Sequence, residues 1–230
     1  MKSLSFLLLL IAFTACDMAK KTQSSAKTIS LFDGKTFNGW HNFNGTGAVK
    51  SWAIEDGNLI CLGTAKDAHG GDIVTDAEYE NFELSWEWKM TKGGNSGVMY
   101  HVIEDAKYPA PYYTGPEYQM IDDVGFPSKL EEWQKTGADY AMNLANDKKK
   151  VKPVGEWNSS KIIFNKGAVE HWLNGEKIVA FQAWTDKWHN DRKTGKWKDY
   201  PDYGLAKKGK IALQDHGNKV YFRKIVVKGL

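Results

Sequence analysis

The strongest constraint on this chain is its punctuation. From Ile29 to the end of the 230 residues, short runs of alternating apolar and polar side chains follow one another, each closed by Gly, Asn or Asp. The clearest are "SWAIEDGNLICLG", "FELSWEWKM", "SGVMYHVI", "EYQMIDD", "SSKIIFN", "AVEHWLNGEKIVAF", "KIALQDHG" and "VYFRKIVVK". A period of two sends alternate side chains to opposite faces of a strand. Asp56-Gly57 and Asn174-Gly175 are the pairs that two-residue hairpin turns prefer. Beyond a turn or two in "KLEEWQK" at 129–135, nothing sustains a helical period, and βαβ alternation is absent. The pattern predicts an all-β chain, an antiparallel sandwich or barrel. Residues 29–230 are long enough to bury one full core without splitting.

The start of the chain reads differently. "MKSLSFLLLLIAFTAC" sets a Lys before an apolar run from Leu4 to Phe13 and small residues before Cys16, the form of a secretory signal over 1–15. The placement of Cys16 resembles a bacterial lipobox, although Phe13 stands where Leu is usual. The expectation is an exported lipoprotein of the periplasm or outer membrane, held by a lipid anchor on Cys16 and a polar tether over 16–28. An acylated Cys16 leaves Cys61 unpaired, and Cys61 in "NLICLG" reads as a small buried hydrophobe of a strand. The formal charge of +3 comes from dispersed Lys and acidic residues, with one dense run at 148–152, so nucleic acid is not an expected partner.

Period two also decides which polar residues share a face. In "KIALQDHG", Ala212, Gln214 and His216 lie opposite Ile211 and Leu213; in "EYQMIDD", Glu117 and Gln119 lie opposite Tyr118, Met120 and Asp122. Val169, His171 and Leu173 share a third face, and Val98 and Tyr100 a fourth. A run of polar side chains at the end of a strand makes sense if one face of a sheet is open and concave, because burying such groups unpaired is costly.

Together "LFDGKTFNGW", "WAIEDGNLI", "NSGVMYHV", "GPEYQMIDD", "EWNSSKIIFNKGAVEHWLNGEKIVAF" and "IALQDHGNKVYFRKIVVK" resemble the 3-keto-disaccharide hydrolase, or 3-keto-glycoside lyase/hydratase, family, in the family's order, over about 29–230. The resemblance implies a concanavalin A-like jelly-roll β-sandwich of two antiparallel sheets. It also implies a chemistry. A ketone at C3 of a glycoside acidifies C2–H, so a base can take that proton, the C1 substituent leaves by β-elimination, and water adds to the enone. Such a site needs a base, a stabiliser for the enolate and an acid for the leaving oxygen, and it does not need the paired carboxylates of ordinary glycosidases.

The candidates follow. His171 is the leading base, with Glu117 as rival or acid partner, and His216 polarises the keto oxygen. Gln119 and Gln214 read sugar hydroxyls; Asn95, Ser96 and Tyr100 supply donors at a loop-to-strand junction. Asp122 and Asp215 orient neighbours or bind a metal. A structural or catalytic divalent metal stays open, since Asp72, Asp122 and Asp123 are scattered and the histidines lack metalloprotease spacing. Trp86 and Trp88 are expected in the core, whereas Trp133, Trp184, Trp188 and Trp197 are stacking candidates. The charged, aromatic segment 185–204 is expected as a rim loop. The alternative to an enzyme is a carbohydrate-binding module of the same shape, which needs Trp and Gln but no base. The oligomeric state is open.

Overall fold

In the computed structural model, which describes residues 27–64 and 71–230, the strands form two antiparallel sheets. In chain order they are β1 (Thr28–Ser30), β2 (Trp40–Asn42), β3 (Trp52–Glu55), β4 (Asn58–Cys61), β5 (Ile73–Thr75), β6 (Phe82–Met90) and β7 (Asn95–Val102). Then come β8 (Glu117–Ile121), β9 (Trp157–Asn165), β10 (Ala168–Leu173), β11 (Glu176–Gln182), β12 (Lys210–Leu213) and β13 (Val220–Gly229). The larger sheet runs β11-β10-β9-β6-β13-β4-β3, with β1 also on β13; the smaller runs β2-β5-β12-β7-β8. This is the two-sheet β-sandwich that the resemblance implies. The leader, Cys16 and the tether as far as residue 26 lie outside the described residues.

The turn chemistry acts where it was read. Asp56 and Gly57 take φ of 51° and 72°, and Asn174 and Gly175 take 49° and 89°, so both hairpins close with two left-handed residues. Lys166 and Gly167 close the β9–β10 hairpin in the same way, at 51° and 85°.

Between the sheets lies the core. Along β6 burial alternates strictly, with Phe82, Leu84, Trp86, Trp88 and Met90 pointing inward. The indole N–H of Trp88 donates to Ser160 Oγ (2.9 Å), which donates to the Tyr118 hydroxyl (2.9 Å), which in turn donates to the Trp172 carbonyl (3.2 Å). This buried chain ties β8 of the small sheet to β9 and β10 of the large one, and so decides which face of β8 is inward. Cys61 is free and buried in β4, and burial holds its thiol far above the usual range.

Segment 185–204 is not a loop. It holds helix α1 (Asp186–Thr194), whose first turn is capped by Thr185 Oγ1 accepting the Trp188 N–H at 3.2 Å, and a 3-10 turn at Lys196–Asp199. Only Trp188 and Arg192, four apart, are buried on α1, too few to show as a period. Arg192 donates to the carbonyls of Tyr203 and Pro201. Trp197 stacks on Tyr203 with centroids 3.9 Å apart. "KLEEWQK" yields a single 3-10 turn, Glu132–Gln134, closed by a capping box between Glu131 and Gln134. No helix among the described residues is long and apolar enough to cross a membrane.

Candidate active site

The outer face of the small sheet carries the polar side chains. β7 pairs with β8 so that Gly97 faces Gln119 and Met99 faces Glu117, and β12 pairs with β7 so that Ala212 faces Met99. Beyond β12 the Gln214 N–H donates to the Gly97 carbonyl at 3.0 Å. Asn95, Glu117, Gln119, Gln214 and His216 therefore meet at one cavity of about 160 Å3. At about 30 Å3 per water that is room for some five waters, on the scale of one sugar ring rather than an oligosaccharide cleft.

Glycine makes the space. A Cβ on Gly97 would lie 1.9 Å from Glu117 Oε1 and 2.7 Å from its Cδ, so the carboxyl group occupies the volume that a side chain at 97 would fill. Only 4% of Glu117 is exposed, and its pKa is pushed up to about 8. Burial is the main cause; the carboxyls of Asp72 and Asp139 add to it, and the Lys196 ammonium opposes it. Among the residues that line the cavity, Glu117 is the one carboxylate. Three carboxamides surround it. Gln119 Oε1 accepts the Met120 N–H (3.0 Å), which leaves its NH2 end as donor, while the buried Asn95 Oδ1 has no partner among the described residues.

Aromatic residues build the rim. Tyr140, whose N–H donates to the Glu117 carbonyl (3.0 Å), accepts the Trp197 indole N–H on its own carbonyl (3.1 Å). Tyr112 and Tyr200 lie 6.4 and 5.4 Å from Trp197, centroid to centroid. The Lys196 ammonium stands over Tyr140 at 4.0 Å, Trp197 at 5.1 Å and Trp133 at 5.7 Å. Asp139, buried beside this rim, is pushed up to about 7 by burial despite the hydrogen bond that Asn143 donates to it.

Five sequence candidates stand elsewhere. His171 is wholly buried between the sheets: its Nδ1–H donates to the Gly137 carbonyl (3.0 Å), its ring packs on Tyr118 at 4.8 Å, and burial lowers its pKa to about 4. The expected base thus faces the core, because Val169, His171 and Leu173 do share a face and that face is the inward one. Tyr100 also points inward, against Phe82 and Phe164 at 6.1 and 5.7 Å. Ser96 Oγ donates to the Gln214 carbonyl (2.8 Å), so it braces the site from behind. Asp122 accepts the N–H groups of Gly93, Val124 and Gly125, and Asp215 accepts that of Gly217; both shape turns. No group of three or more His, Cys, Asp or Glu side chains among the described residues converges on a metal position.

Of the expected stacking residues, Trp197 lines the cavity, Trp188 is buried in packing, and Trp133 and Trp184 are half-buried. The sequence reading missed Tyr112, Tyr140, Lys196 and Tyr200. Only the aromatic density of 185–204 pointed at any of them.

Residues 27–228 match the domain family described as 3-keto-alpha-glucoside-1,2-lyase-like. The chain is 36% identical over 228 residues to a 3-keto-disaccharide hydrolase of Bacteroides thetaiotaomicron, covering 88% of this chain and 78% of that one. Two crystal structures of candidate glycosyl hydrolases from Parabacteroides distasonis are similar. One is 49% identical with a TM-score of 0.82, covering 88% of this chain and 94% of that chain. The other is 28% identical with a TM-score of 0.68, covering 89% and 100%.

Proposed function

The chain belongs to the 3-keto-alpha-glucoside-1,2-lyase-like family, and we propose that its glycoside hydrolase-type activity is directed at glycosides already oxidised at C3. Glu117 is the base. Its carboxylate takes the proton from C2, the C2–H electron pair forms the enolate toward the C3 ketone, and the C1–O bond then breaks to leave a C1=C2 enone. His216, at the exposed mouth, protonates the departing oxygen. Water adds at C1, giving its proton to His216, and the proton held by Glu117 returns to C2, so that one glycoside and one water give a 3-keto sugar and an alcohol. The carboxamides of Asn95, Gln119 and Gln214 hold the ring and the enolate oxygen, with the Lys196 ammonium as the nearby positive charge.

The observation that carries this reading is a single buried carboxyl on the cavity floor with a pKa near 8. A base works best when its pKa is close to the working pH. A double-carboxylate mechanism would need a second acid in the same cavity. Export and anchoring through Cys16 belong to the proposal on the strength of the leader sequence alone.

The test is release of nitrophenolate from a 3-keto-glucoside and from the parent glucoside, side by side, by the chain with Cys16 replaced. Turnover is expected for the keto substrate only, and Glu117→Gln is expected to lose about a hundredfold or more of kcat, the usual contribution of a general base. Sugar binding without turnover of either substrate would make the protein a carbohydrate-binding module.

A further inference from the structure

Beside the polar cavity, sharing Lys196 with it, lies a second hollow of about 280 Å3, lined by Trp133, Ala141, Met142, Leu144 and Lys196. Lys196 belongs to both, so the two hollows share one wall. Leu144 is 57% exposed, a large apolar side chain in water with no core to join. The backbone between the hollows is unusual. Ala141 has φ of 60°, a left-handed conformation that a residue with a Cβ adopts at a cost. Around it Tyr140 lines the polar cavity and Met142 the apolar one. The Asp139 carbonyl accepts the N–H groups of both Met142 and Asn143 at 2.9 Å, which pins the turn.

We propose that this shelf of Trp133, Met142 and Leu144 is the leaving-group subsite and that it selects an aromatic or otherwise apolar aglycone. The inference rests on the reading that the polar cavity holds the keto ring. Charge distribution favours a ring as occupant: the Lys196 ammonium already stands over three aromatic faces, and an aromatic aglycone would offer it a fourth. Methionine and tryptophan are the side chains that adapt to and stack on such a ring. For a second sugar, the lining side chains offer hydroxyl groups only the ammonium and the Trp133 indole N–H, so most of its hydrogen bonds to water would go unreplaced.

Two measurements test it. The first compares kcat/KM for nitrophenyl 3-keto-glucoside and for a 3-keto-disaccharide in the wild type, Leu144→Asp and Trp133→Ala. The aryl-to-disaccharide ratio is expected to fall about tenfold in both variants; tenfold is 1.4 kcal/mol of differential binding. Equal losses on both substrates would overturn the proposal. The second measures calorimetric binding to Glu117→Gln, where aryl 3-keto-glucoside should bind about tenfold more tightly than 3-keto-glucose and lose that margin with Leu144→Asp. Equal affinities would also overturn it. If the wild type turns over neither substrate but the aryl margin is present and sensitive to Leu144, the subsite stands and the elimination chemistry falls. Leu144 is exposed, so its variant stays folded even where Trp133→Ala does not.

Discussion

A carboxyl group that ionises near pH 8 can serve as a base only in its charged form, and that sets the pH behaviour of the site. Burial has raised Glu117, so kcat/KM on the nitrophenyl keto substrate, whose leaving group departs without the His216 proton, should climb with pH and level off above about 8. Lys196→Met removes the cation that opposes the rise, so the inflection should move to higher pH. A pH-rate profile of the two proteins decides the matter: a flat or falling curve between pH 6 and 9 would remove Glu117 from the base role. At this scale the sequence was half legible. Parity correctly grouped Glu117 with Gln119, Gln214 with His216, and Val169 with His171 and Leu173. It could not say which face of each strand is inward, because that depends on where the other sheet lies. The buried chain from Trp88 through Ser160 to Tyr118 decides it for β8, and His171 falls on the wrong side of the same division.

Between paired strands, one missing side chain makes room for the chemistry. β7 presents Gly97 beside the Glu117 carboxyl, and an Ala there would meet Oε1 and Cδ well inside contact distance. Gly97→Ala should fold, since its φ is not left-handed, but it must displace the carboxyl. The expected result is a loss of kcat of about tenfold or more with the pH inflection moved down, as the acid becomes better hydrated. Retained activity with an unmoved inflection would show that the carboxyl does not need this position. Elements were legible where their turns carry a chemical signature, as at Asp56-Gly57 and Asn174-Gly175. The Lys166-Gly167 turn has the same geometry, but Lys carries no such signal. Three-residue strands such as β2 and β5 are too short for a period, and α1 buries only two side chains.

Across the whole molecule, four buried groups pull stability in opposite directions with pH. His101 and His171, lowered to about 4 by burial, are neutral in the folded protein. They bind fewer protons folded than unfolded, so their contribution is lost as pH falls from about 6.5 to 4. Glu117 and Asp139, raised to about 8 and about 7, bind more protons folded, and their contribution is lost as pH rises through those values. Between about 4.5 and 6.5 the two pairs nearly cancel; above 6.5 only the acids act, at up to about 1.4 kcal/mol per pH unit for each. Tm should be level from pH 5 to 6.5 and lower at pH 8, and Glu117→Gln should recover much of the decline. Calorimetry at three pH values checks it, and a Tm that rises from 6.5 to 8 would contradict it. The base is therefore charged where its charge costs the fold most, a common bargain at active sites. The two-sheet architecture was legible because so many runs carry period two; helix α1, which leads into the Lys196–Asp199 turn at the cavity, was not.

That helix has one more consequence. Residues 187–198 carry five Lys or Arg side chains, a dense set of cleavage points for a trypsin-like protease. Yet Trp188 and Trp197 are buried, Trp197 stacks on Tyr203, and Arg192 is bonded to two backbone carbonyls. A protease needs an extended strand, so cutting here waits for the segment to open. The same contacts that stand Trp197 and Lys196 at the cavity thus shield a stretch rich in cleavage points, and a first nick at this place would report that the site had already come apart.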